Sequence, residues 1–194
     1  MPNENEYKNW IRFESLSREY QVLKSEQSAR IGFRDNLLYV TLASMGALLG
    51  FSLFDNSLDS KDSERALCLL AGPWISIILG WTYSINDRAI TRIARYTENQ
   101  LKKHFERLEG LDSFSVLEWE TIHRSYKGRF ARKLIQISID LFAFPFAGAF
   151  FLVLAIQKSK MDFGNFGLCL IILEVILLIL VAGHIILNSG LNSD

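Results

Sequence analysis

From Ile171 to Val181 the chain carries ten aliphatic residues and a single Glu174, so a helix formed there has no polar face to turn toward water. That stretch is the centre of the longest-range constraint in the sequence. It lies within one of four apolar blocks, Leu37–Phe54, Ala66–Ile85, Leu134–Ile156 and Phe166–Leu187, which are almost free of charge. At roughly 1.5 Å of rise per residue, blocks of about 18 to 23 residues reach about 27 to 35 Å, which matches a hydrocarbon layer of about 30 Å. Backbone groups in lipid must be satisfied within their own segment, so each block is expected as a helix. The expected fold class is all-α: an integral membrane four-helix protein of two transmembrane hairpins, with cytoplasmic helical extensions. The remaining alternative for such blocks is a soluble bundle with long core helices.

Overall composition is uninformative by comparison, because 49% hydrophobic and 22% charged residues are ordinary for a soluble domain. The net charge of zero gives no reason to expect a nucleic-acid partner. The distribution of charge is what carries information. Of 21 Lys and Arg, six precede the first block, two lie between Asp55 and Arg65, eleven between Asn86 and Lys133, two between Gln157 and Asn165, and none follow Leu187. Basic residues are retained in the cytoplasm, so both termini and the central segment are expected inside and the two short loops outside. Met1–Asn36 alternates acids and bases without an apolar core and does not read as a signal peptide. The first crossing is then expected to target the chain to a bacterial inner membrane. Cys68 and Cys169 both fall inside predicted crossings, which argues for burial rather than a disulfide framework.

The resulting organisation is a cytoplasmic amphipathic helix at 1–36, a first membrane hairpin at 37–85, a cytoplasmic helical segment at 86–133, a second hairpin at 134–187 and a cytoplasmic tail at 188–194. In the arm, Phe13, Leu16, Tyr20, Leu23 and Gln27 repeat with helical spacing, a stripe that needs a partner. Ile85, Ala89, Ile90, Ile93, Thr97, Leu101, Phe105 and Leu108 form a second such stripe ending near Gly110. With no turn signal after Ile85, one helix of about 60 Å is expected to leave the membrane there. Asn86-Asp87 is the alternative break, as a cap for a separate helix. Ser115 and Glu118 have capping-box spacing for a short helix bearing Val116, Trp119, Ile122 and Tyr126, closed by Gly128. Arg129, Arg132 and Lys133 then anchor the third crossing at the headgroups.

Small residues supply the packing signal. Gly46 and Gly50, with Ala43 and Ala47, and Gly72, Ser76 and Gly80 let backbones approach closely, either between helices of one subunit or between subunits of a homo-oligomer. Ala143, Ala147, Gly148 and Pro145 predict a bent third crossing whose freed backbone groups need neighbours. Three ionisable residues lie within the second hairpin: Asp140, Glu174 and His184. Such groups are costly in lipid and face protein or water. Asp140 and His184 lie at depths that allow pairing, while Glu174 lies near mid-membrane. Glu174 is then either a protonated carboxyl bonded within the bundle or, alone or with Asp140, a pore-lining group. His104, His123 and Glu120 read as surface residues. No glycine-rich phosphate loop, nucleophile elbow or metal-spaced histidine pair is present, so no enzyme activity, cofactor or metal is expected.

Glu19-Tyr20 with Leu23 and Glu26, Arg34 with Asn36, Leu49-Gly50-Phe51, Pro73, Leu79-Gly80-Trp81, Ile93 with Arg95-Tyr96, and Trp119-Glu120 together resemble a family of small uncharacterised bacterial multi-pass membrane proteins. The resemblance covers roughly the first two-thirds of the chain and brings no catalytic residues. The order of cytoplasmic helix, membrane hairpin and cytoplasmic helix is also similar to the two-helix membrane effectors of bacterial conflict systems, from which the hairpin after Leu134 departs. The family likeness brings no activity, and only the architectural likeness points to membrane disruption; the small-residue helix faces and the amphipathic arm lead to the expectation of a non-enzymatic, oligomeric protein, in its sharpest form membrane-perturbing or pore-forming. Its partners would be the lipid bilayer, copies of itself, and a cytoplasmic protein bound through residues 6–33 and 86–126. The competing class is an ion channel or transporter component using the intramembrane acidic residues.

Overall fold

A computed structural model describes residues 4–54, 62–108, 129–158 and 164–188. Among these every element is helical: α1 (Glu4–Phe54), α2 (Asp62–Tyr96), a π turn (Thr97–Leu101), α3 (Lys102–Glu106), α4 (Arg129–Leu141), a second π turn (Phe142–Phe146), α5 (Ala147–Lys158) and α6 (Gly164–Asn188). The expected capping-box helix, with Gly110, Glu120, His123 and Gly128, and the carboxyl-terminal tail lie outside the described residues.

The chain divides into two units, residues 1–33 with 86–129 and residues 34–85 with 130–194, and α1 and α2 each contribute to both. In the first unit Leu101, Phe105 and Leu108 form a buried core covered by Leu16, Tyr20, Leu23 and Tyr96. Phe13 meets Phe105 edge to face at 5.9 Å between ring centres. Polar contacts tie α1 to α2. The Tyr96 hydroxyl donates to Glu19 at 2.6 Å, and the Asn86 side-chain amide donates to the Arg30 carbonyl at 2.6 Å. The Asn86 side-chain oxygen, the atom that would cap a new helix at Asn86-Asp87, accepts from the Arg30 guanidinium at 3.4 Å, and α2 runs through without interruption.

In the second unit three helices among the described residues are long and apolar enough to cross a membrane, Cys68–Glu106, Ala131–Gln157 and Gly167–Asn188. The expected first crossing, 37–54, is helical in α1, but its last two side chains lie outside the described residues. Polarity in this unit is inverted relative to a water-soluble domain. Thr41, Ser76, Ser84, Asp140 and Glu174 are buried, while Ile135, Phe142, Phe146, Ile179 and Leu187 are exposed, Phe142 by 75%. A soluble protein rarely exposes so continuous an apolar surface, and hydrocarbon is the solvent that such a surface fits.

Small residues set how closely these helices pack. A Cβ placed on Gly72 would lie 2.6–2.8 Å from the Phe151 ring and its Cβ, and one on Gly80 would lie 3.0–3.1 Å from Phe144 and Val181. Gly72 therefore receives Phe151 and Gly80 receives Phe144, so α2 runs antiparallel to the third crossing. Across the same interface the Ser76 hydroxyl donates to the Phe144 carbonyl. Phe144 belongs to the π turn that contains Pro145. The Phe144 carbonyl also accepts the Ala147 backbone N–H, so the Ser76 hydroxyl is a second donor to it, supplied from the neighbouring helix at the irregular turn. Two apolar clusters flank this contact. Met45, Leu69, Phe151 and Ala155 form one, and Leu37, Ile77, Tyr83, Phe144, Leu178, Val181 and Ile185 form the other.

Gly46 and Gly50 differ, because a Cβ at either would meet nothing within 4 Å. Gly72→Ala is expected to destabilise the protein by about 1–3 kcal/mol through overpacking against Phe151. Gly46→Ala should be neutral or stabilising by about 0.5–1 kcal/mol through helix propensity. Thermal unfolding in detergent would distinguish the two, and equal effects would contradict this packing.

Candidate functional site

The last turns of the membrane part of α2 present Trp81, Tyr83 and Ser84, and the two neighbouring crossings each direct an ionisable group to them. Asp140 on α4 is 6% exposed and accepts a 2.7 Å hydrogen bond from the Tyr83 hydroxyl. His184 on α6 shares a 2.7 Å hydrogen bond between its Nδ1 and the Ser84 hydroxyl. The His184 ring also stacks on Trp81, with centres 4.8 Å apart and planes 15° from parallel. Successive residues of a helix point about 100° apart, which lets Tyr83 and Ser84 serve α4 and α6 from adjacent positions. Tyr83 additionally packs on Phe144 at 4.9 Å, so the polar contact is continuous with the apolar core beside Gly80.

Glu174 has a different environment. It is fully buried on α6; neither carboxyl oxygen has a partner at full hydrogen-bond geometry among the described residues, and the Trp74 side chain is the hydrogen-bonding group that interacts with it. Glu174 lies on the same side of α6 as Leu178 and Val181, four and seven residues before them, and these two fill the grooves at Gly148 and Gly80. Its side chain is therefore within the packed interior rather than on the exposed face that carries Ile172, Leu173 and Ile176. A buried carboxyl without a fully formed hydrogen bond costs on the order of several kcal/mol if charged, and less if neutral.

Trp81, Tyr83 and Ser84 are not singled out by sequence as partners of the buried polar groups; the signal is the run Trp81-Thr82-Tyr83-Ser84, which puts three hydroxyls and an indole beside one another on α2. The small-residue face of Gly72, Ser76 and Gly80 is occupied by the third crossing, as described above, whereas Ala43, Gly46 and Ala47 remain exposed. Among the described residues no group of His, Cys, Asp and Glu is arranged to hold a metal ion. Cys68 and Cys169 are free thiols, the first half-buried and the second exposed.

Tyr83→Phe is expected to cost about 1–3 kcal/mol of stability by removing a donor to buried Asp140. Glu174→Met, which replaces the carboxyl with an apolar group of similar length, should raise the unfolding temperature by removing a desolvation cost of about 1–3 kcal/mol. A lowered unfolding temperature for Glu174→Met would show that the carboxyl contributes favourably to packing. No family model, no curated protein and no solved structure matches this chain.

Proposed function

We propose that this protein is a non-enzymatic inner-membrane protein of four crossings that self-associates and is controlled through its water-facing helical unit. The observation that carries the reading is the open small-residue face of α1. Ala43, Gly46 and Ala47 are exposed and Gly46 and Gly50 have free space around them, while Gly72, Gly80 and Gly148 are already filled from within the chain. In lipid, where apolar surface alone gives no drive to associate, such a face allows two backbones to pack closely. The reading places 37–54 in the membrane as the first of four crossings in two hairpins, with both termini and residues 86–133 in the cytoplasm, as the excess of Lys and Arg there requires.

Control would follow from connectivity. Because α1 and α2 supply residues to both units, a cytoplasmic partner that rearranges the first unit acts on helices that continue into the second. Membrane perturbation triggered in this way, as in bacterial conflict systems, is the sharpest form of the proposal, in keeping with the resemblance of the first two-thirds of the chain to small bacterial membrane proteins.

A second reading is an ion channel or transporter component. It is favoured by Glu174, whose buried carboxyl, with the Trp74 side chain as its hydrogen-bonding neighbour, is an unusual expense for a purely structural helix. With Asp140 and His184 it would form the polar part of an ion path.

Gly46→Ile is expected to shift the protein from oligomer to monomer in membrane crosslinking and to abolish depolarisation of cells on overproduction. Unchanged crosslinking would remove the α1 interface. In liposomes, Glu174→Gln is expected to leave conductance unaltered under the first reading and to change cation flux under the second. Alkaline phosphatase fused near residue 60 should be active and near residue 110 inactive; the reverse pattern would overturn the topology.

A further inference from the structure

The first unit contains a cleft of about 330 Å³ bounded by Arg12, Ser15 and Leu16 of α1 and by His104, Arg107 and Leu108 at and after α3. Each side contributes residues at i, i+3 and i+4, so each presents one helical face to the cleft. The two leucines form its floor: Leu108 is part of the buried core, and Leu16 packs against that core. Arg12, His104 and Arg107 stand exposed around the rim.

None of these three side chains has an ion pair or side-chain hydrogen bond among the described residues. Their unpaired state does not reflect a shortage of neighbouring carboxylates. Glu14 is engaged with Arg18 at 3.6 Å and Glu106 with Lys102 at 3.9 Å, so the acids next to the cleft in sequence are turned to other cations. Two guanidinium groups, an imidazole and a hydroxyl therefore line a concave site that has no ion-paired carboxylate among the described residues.

We propose that this cleft binds a phosphate monoester. Guanidinium forks match the paired oxygens of phosphate, and two of them with a histidine suit a dianion better than a single carboxylate. The volume exceeds that of bare phosphate and lies at the lower end of the range for small-molecule sites, leaving room for an organic group against Leu16 and Leu108. The ester is either a free solute or a lipid headgroup, and the two share the same recognition chemistry.

The test uses the full chain in phosphatidylcholine nanodiscs, titrated with glycerol 3-phosphate by calorimetry, with glycerol as the uncharged control. Saturable binding of the phosphate but not of glycerol is expected. The Arg12→Gln/Arg107→Gln variant should bind at least tenfold more weakly, and His104→Gln should also weaken binding. Lys8→Gln, on the same helix but outside the cleft, should bind as the original protein does. In nanodiscs doped with phosphatidic acid, loss of glycerol 3-phosphate binding assigns the site to a lipid headgroup, and retention assigns it to a free solute. Absence of binding at millimolar ligand, equal binding of glycerol, or unchanged affinity in the double Arg variant would each overturn the proposal. All four substituted side chains are exposed, and a size-exclusion profile matching the original protein confirms folding of the variants.

Discussion

The second unit depends on two glycines that let bulky aromatic rings approach a helix backbone. Gly72 and Gly80 stand eight residues apart on α2 and receive Phe151 and Phe144, seven residues apart on the opposing crossing. In lipid this close packing replaces the hydrophobic drive that stabilises soluble bundles. It also brings Ser76 against the π turn around Pro145, where its hydroxyl meets the Phe144 carbonyl. Packing and interhelical hydrogen bonding are thus achieved by the same helix face. A larger residue at Gly72 would disturb both, since the separation that relieves Phe151 also draws Ser76 away from its acceptor.

Around that contact the polar groups fall into two kinds. Asp140 and His184 are matched to Tyr83 and Ser84 on one turn of α2, and they read as interhelical ties between crossings. Glu174 is buried without such a match. Its hydrogen-bonding neighbour is the Trp74 side chain, and Glu174 is the residue on which the two proposed readings differ. The open face of α1 supplies the other distinction. Its glycines are left unfilled by the chain's own side chains, in contrast to those of α2.

The first unit is chemically distinct from the second. Its core is small, with three buried apolar residues covered by one face of α1, and much of its cohesion comes from polar ties such as Tyr96 to Glu19 and Asn86 to Arg30. It exposes basic groups on a concave surface, a property suited to recognition of an anion. Both α1 and α2 contribute residues to this unit and to the apolar one.

Much of the helical architecture was legible in the residue order. The oily run Ile171–Val181 required a helix in lipid, Pro145 announced an irregular third crossing, and the 3-and-4 spacing of Leu16, Tyr20 and Leu23 marked the face that meets Leu101 and Phe105. These are local consequences of hydrophobicity and backbone chemistry, which depend only on neighbours in the chain. The continuity of α2 past Asn86 was not legible locally, because the partner of the Asn86 side chain is Arg30, 56 positions away. Nor were the pairing of Tyr83 with Asp140, the filling of Gly72 but not Gly46, and the convergence of Arg12 with His104 and Arg107. Each depends on which helix faces which, and a periodic pattern specifies a face without specifying what stands opposite it.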